Sequence, residues 1–184
     1  MSKRRFGNMK KKILILFTFC LTFAACTRAQ RLAVNSKHPP SVKESFPAET
    51  GDFRADMLAA VNLVRSTGCR CADKTMPAVP PVRWNSRLEE AAIRHAKDMA
   101  IHNHFNHIGT DGSEIDKRID ATGYKWKQIG ENIAWGYFTI ADVMAGWIKS
   151  PSHCKQLMSD KVDEIGVARN GKYWVQDFGK QRTW

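Results

Sequence analysis

Apolar residues recur at helical intervals in three long stretches of the chain. Phe53, Met57, Ala60, Val61 and Val64 fall on one face, which predicts a helix over roughly 53–66 ended by Gly68. Leu88, Ala91, Ala92, Ala96 and Met99 form a second stripe running to about His102. There Ser86 as N-cap with Glu89 three residues later reads as a capping box. Ile140, Val143, Met144, Trp147 and Ile148 form a third, with Thr139 as the cap. A shorter helix is predicted in SEIDKRIDATG, capped by Ser113 and stopped by Gly123.

Between and after these stripes the period changes. QIGENIAWG is short and bracketed by glycines, and reads as a strand. EIGVARNGKYWVQDFG alternates around Asn170–Gly171, the preferred two-residue hairpin turn. CRCADKTMPAVPPVRW, with Pro77, Pro80 and Pro81, reads as a loop. Helices around a small antiparallel sheet predict an α+β domain, layered α-β-α as a three-layer sandwich.

The N-terminus follows a different rule. MKKKILILFTFCLTFAAC, Met9–Cys26, has a basic start, a short apolar middle and small residues at its end. That is the pattern of a secretory signal over residues 1–26, too short to span a bilayer. FAAC resembles a bacterial lipobox, with Phe23 where leucine is usual, and implies lipidation of Cys26. Residues 27–50 are polar and Pro-containing and read as a linker, leaving a domain over 51–184.

The signal changes the meaning of the charge. The 184-residue chain carries a formal +11, but residues 1–26 hold six Lys or Arg and no acid. The remainder has 23 basic against 18 acidic residues, a net of +5. With no basic run interleaved with aromatics, nucleic-acid binding is not expected. Export also means an oxidising compartment. Three cysteines follow the signal, Cys69, Cys71 and Cys154, so one is left over from pairing.

FNHIGTDGSEIDKRIDATGY, GENIAWG, WIKSPSHCKQLM and EIGVARNGKYWVQDFG, in this order and spacing, resemble the bacterial branch of the CAP superfamily. This group comprises cysteine-rich secretory proteins, antigen 5 and pathogenesis-related proteins, whose domains are also called SCP-like. NLVR at Asn62–Arg65 and LEEAAIRHAKDMA fit the same pattern, so the resemblance covers about 53–179. It implies an α-β-α sandwich with a cleft lined by two histidines and two glutamates. Carried onto this chain, these are His107, Glu131 and His153. The second glutamate position, three residues after Trp147, holds Ser150.

The resemblance thus implies His107, Glu131, His153 and Ser150 as cleft residues; two imidazoles and a carboxylate are also the protein ligands of an open zinc site, which makes the two histidines candidate Zn ligands. Ser150–Pro151 reads as N-cap and N1 of a short helix, whose dipole would hold His153 neutral. Glu131 could instead orient a histidine from behind. The plain alternatives are His107 ordering the glycine-rich loop, Glu131 serving backbone, and His153 capping a helix. His102 and His104 are expected in solvent. His95 is expected as a hydrogen-bonded core residue. Trp135, Trp147, Tyr173, Trp174 and Phe178 are expected in the core.

Side chains of His153 and Cys154 point about 100° apart on a helix and do not form a catalytic pair. Similar bacterial domains carry a cysteine at the Cys154 position and another in the loop before the second helix. The resemblance therefore implies a Cys71–Cys154 disulfide, with Cys69 as the alternative partner. Closing such a loop stabilises by about 4 kcal/mol on the chain-entropy model. The functional expectation is a secreted or lipid-anchored binding protein, taking a divalent metal, a lipid or sterol, or an envelope partner, and touching membrane only through its anchor. The alternatives are a metal-dependent, protease-like hydrolase with Glu131 as general base, a cysteine-dependent redox protein, and a structural envelope protein.

Overall fold

The computed structural model describes residues 45–183. The signal segment 1–26, Cys26 and the first part of the 27–50 linker lie outside them. The end of that linker is packed rather than free. Phe46 lies against the core, and a Glu49 carboxylate oxygen accepts from the Ile140 amide at 2.8 Å.

Helix α1, Phe53–Thr67, buries Met57, Ala60, Val61 and Val64, and Gly68 ends it at φ +74°. Helix α2, Ser86–His102, buries the expected stripe. Its cap is Asn85, one residue before Ser86, because the Asn85 side chain reaches the amides of Arg87 and Leu88. Glu89 is thereby released from a capping box and instead accepts from Trp84 Nε1 and pairs with Arg54. Helix α3 is Ile115–Asp120 and makes no side-chain cap bond, so Ser113 does not cap it. Helix α4, Ile140–Lys149, is capped by Thr139, which accepts from the Asp142 amide. Helix α5 is Pro151–Leu157. Its Ser150 occupies the N-cap position without making a side-chain capping bond.

The Pro-rich segment is not a plain loop. Strands β1, Cys69–Cys71, and β2, Lys74–Met76, form a small hairpin, and β3 is Arg83–Trp84. Strands β4, Trp126–Trp135, β5, Glu164–Asn170, and β6, Tyr173–Gln181, complete a four-stranded sheet of order β3-β5-β6-β4. The sheet is mixed, because β3 runs parallel to β5 while the other pairs are antiparallel. Asn170 pairs with Tyr173, so the two turn residues are Gly171 and Lys172, one step beyond expectation. Gly171 at φ +59° takes the first central position that a type II′ turn reserves for glycine.

Alternation along the strands makes three layers. Val167, Trp174 and Phe178 point into a core shared with α1, α4 and α5. Ile133, Ala168, Tyr173 and Val175 face α2 on the opposite side. Gly166 lets β5 and α2 approach closely, since a Cβ there would collide with the Leu88–Glu89 backbone. Strand β4 is left at the sheet edge.

Candidate functional site

The site is organised around this edge strand. Glu131 sits on β4 directly across the ladder from Asp177 on β6. Its side chain is only 3% exposed. One oxygen is 2.7 Å from His107 Nδ1, and the other accepts from the Arg118 guanidinium at 2.7 Å. Arg118 comes from α3, is itself buried, and also donates to the Ser113 carbonyl at 2.7 Å. Burial acts to raise the Glu131 pKa. The His107 bond and the Arg118 charge outweigh it and hold the carboxylate below its ordinary range.

Asp177 shows the reverse. It is fully buried, and neither oxygen has a hydrogen-bond partner. Burial first, and the Glu131 charge second, push its pKa well above the ordinary carboxylate range, which favours the neutral acid. Sequence reasoning missed both Arg118 and Asp177. The available signal for Asp177 was a lone acid in the otherwise uncharged stretch YWVQDF. His95 is buried as expected, with the Asn106 backbone close enough to act on its ring. Burial lowers its pKa despite the opposing charge of Glu131.

His153 approaches from the other side of β4. Asn132, the next residue after Glu131, donates to the His153 carbonyl at 3.2 Å and to Gln176 Oε1 at 2.9 Å. His153 does not touch Glu131. Its pKa is lowered by burial first and by the His107 charge second, so the two imidazoles lie within electrostatic reach of each other. His153 and Ser150 line a groove of about 280 Å³ with Phe105, Ile133, Trp135 and Trp147. Trp135 is 54% exposed and forms part of this groove, whereas Trp147, Tyr173, Trp174 and Phe178 are buried. His102 pairs with Asp98 at 2.9 Å and is exposed. His104 is half-buried, and its Nε2 is 3.0 Å from the Ile108 carbonyl. Both serve the loop that presents His107.

Cys71 and Cys154 are disulfide-bonded, with Cα atoms 5.5 Å apart, and join β1 to the helix that carries His153. Cys69 is a free thiol whose Sγ lies 3.4 Å from that of Cys154. Replacing Cys71 with serine is therefore expected to link Cys69 to Cys154. Peptide mapping without reductant checks this, and free thiols at both positions would refute it. The new loop is two residues longer, so its chain-entropy contribution is nearly unchanged.

The family model for CAP, the cysteine-rich secretory protein family, matches residues 58–178. YkwD of Bacillus subtilis (strain 168), an uncharacterized protein, is 31% identical over 110 residues, 58% of this chain and 42% of that protein. The uncharacterized membrane protein YlbC of the same organism is 30% identical over 100 residues, 54% of this chain and 29% of that one. The chain thus spans less than half the length of either curated relative. An extracellular SCP-domain protein from Bacillus anthracis str. Ames has the same fold, with a TM-score of 0.62 and 23% identity over 74% of this chain and 45% of that one. An outer surface protein from Borrelia burgdorferi gives a TM-score of 0.62 and 20% identity over 73% of this chain and 97% of that one. With the matched span covering well over half of its length, the chain belongs to the CAP, or cysteine-rich secretory protein, family.

Proposed function

We propose that this chain is an exported binding module, tethered through Cys26, whose edge groove holds a ligand between His107 and His153. The observation that carries this is the state of Glu131. Both of its oxygens are engaged, by His107 and by Arg118, and its pKa is depressed. A general base needs a free oxygen and a pKa near the working pH. Glu131 has neither, which argues against the hydrolase alternative.

The same arrangement suits metal binding by the histidines alone. A carboxylate on Nδ1 fixes the proton there and leaves Nε2 of His107 as the donor atom. His153 is kept neutral by burial, the form a metal requires. Among the described residues, the group of three His, Cys, Asp or Glu donors within 4.8 Å of one another is the cysteine trio, so Glu131 fits as support rather than as third ligand. A divalent ion such as Zn²⁺ between the imidazoles would supply a Lewis acid for the polar head of a ligand. Exposed Phe105 and Trp135 would take its apolar part, as in a lipid, a sterol or an envelope component.

Calorimetric titration of the processed protein with Zn²⁺ tests the reading. One equivalent is expected, lost in both His107→Ala and His153→Ala. Binding unaffected by either substitution would remove the metal from the proposal. Turnover of peptide or ester substrates that depends on Glu131 would favour the hydrolase.

A further inference from the structure

We propose that Cys69, Cys71 and Cys154 form a second, redox-gated site, which takes a thiophilic d¹⁰ cation, Zn²⁺ or Cu⁺, when the disulfide is reduced. The three sulfurs lie within 4.8 Å of one another. Cys69 Sγ is 3.4 Å from Cys154 Sγ and 3.9 Å from Cys71 Sγ. Zinc–thiolate bonds of about 2.3 Å set sulfur–sulfur edges of roughly 3.8 Å in a tetrahedron. The edges to Cys69 therefore already bracket that length. Reduction has only to open the third edge, between side chains on Cα atoms 5.5 Å apart.

The surroundings suit such an ion. Cys71 and Cys154 are 1% and 0% exposed, while Cys69 is half-buried. Cys69 also lines a cavity of about 380 Å³ with Leu63, Thr67, Arg70 and Ile148, which leaves room beside its sulfur for a fourth, non-protein ligand. Thiolate sets select Cu⁺ and Zn²⁺ over harder ions. A staple between β1 and α5 needs two sulfurs only, and the metal site gives the third a role.

The chemistry balances with a dithiol as reductant. Its two sulfurs become a disulfide, and the Cys71–Cys154 bond is cleaved to two thiols. The cation then binds three thiolates and releases three protons. An oxidised dithiol reverses the sequence and expels the ion.

The test uses the processed protein in the His107→Ala/His153→Ala background, so that ions at the histidines do not contribute. Protein reduced with a dithiol, and freed of it by anaerobic gel filtration, is titrated anaerobically with Zn²⁺ and, separately, with Cu⁺. One equivalent of at least one ion is expected on the reduced protein and none on the oxidised protein. Cys69→Ser should weaken binding by about tenfold or more. Preference for Zn²⁺ supports a four-coordinate site, and preference for Cu⁺ a trigonal one. No binding to the reduced protein, or equal binding by Cys69→Ser, overturns the proposal. If reduction unfolds the chain, circular dichroism replaces the titration. Refolding by the cation in the parent but not in Cys69→Ser supports the site, and no refolding of either overturns it.

Discussion

Replacing Arg65 with alanine is expected to destabilise the domain by about 3–5 kcal/mol, the summed cost of leaving several buried backbone carbonyls without their donor. Arg65 is 0% exposed on α1. Its Nε donates to the Pro80 carbonyl at 2.8 Å. One terminal nitrogen donates to the carbonyls of Leu157 and Ser159 at 2.8 and 2.9 Å, and the other to that of Val162 at 3.4 Å. These carbonyls belong to the Pro-rich segment, the end of α5 and the connection into β5. One guanidinium thus joins three stretches that share no regular ladder. Lysine, with a single ammonium, cannot span the same fan of acceptors, so Arg65→Lys is expected to recover only part of the loss. Denaturant unfolding checks both variants. A loss below about 1 kcal/mol for the alanine would show that water reaches those carbonyls in place of the guanidinium.

Arg65 also shows what was legible in the sequence and what was not. NLVR could be matched to a family, and the stripe around it placed a helix to within a residue. Nothing local said that Asn62 would bond both ways to the Val82 backbone or that Arg65 would be buried. Strand β3 is two residues long and exists because β5 runs beside it, with Arg83 paired to Glu164 far along the chain. A segment punctuated by three prolines gives no period from which to foresee that. In the site, His107, Glu131 and His153 were visible because they sit in distinctive short motifs. Arg118 lies in a charged six-residue helix that reads as solvated, and its burial comes from α2 and β4 packing over it. The missing glutamate at Ser150 suggested a cleft with one carboxylate. The fold places a second one, Asp177, across the ladder from Glu131, where only the sheet register reveals it.

That facing pair leads to the other large effect. Glu131→Ala is expected to cost about 3–5 kcal/mol, because Arg118, with a side chain 6% exposed, loses its counter-charge. His107 loses its anchor in the same step. Asp177→Asn is expected to do the opposite and raise the melting temperature by a few degrees, since asparagine keeps the shape of the neutral acid and cannot ionise. The pH dependence separates the two. Glu131 has a folded pKa below its unfolded value, so its contribution is fully present above about pH 4.3 and is lost as the pH falls through the folded pKa. Asp177 has a folded pKa above its unfolded value. Its contribution is complete below about pH 3.9 and erodes as the pH rises toward the folded pKa, because only the unfolded chain then ionises. The advantage of Asp177→Asn over the parent should therefore grow from about pH 4 toward neutrality, while the deficit of Glu131→Ala should shrink below about pH 4. Thermal melts across that range read both trends. An Asp177→Asn curve parallel to the parent would mean that Asp177 titrates alike in the folded and unfolded chains, and the raised pKa of Asp177 would then have to be abandoned.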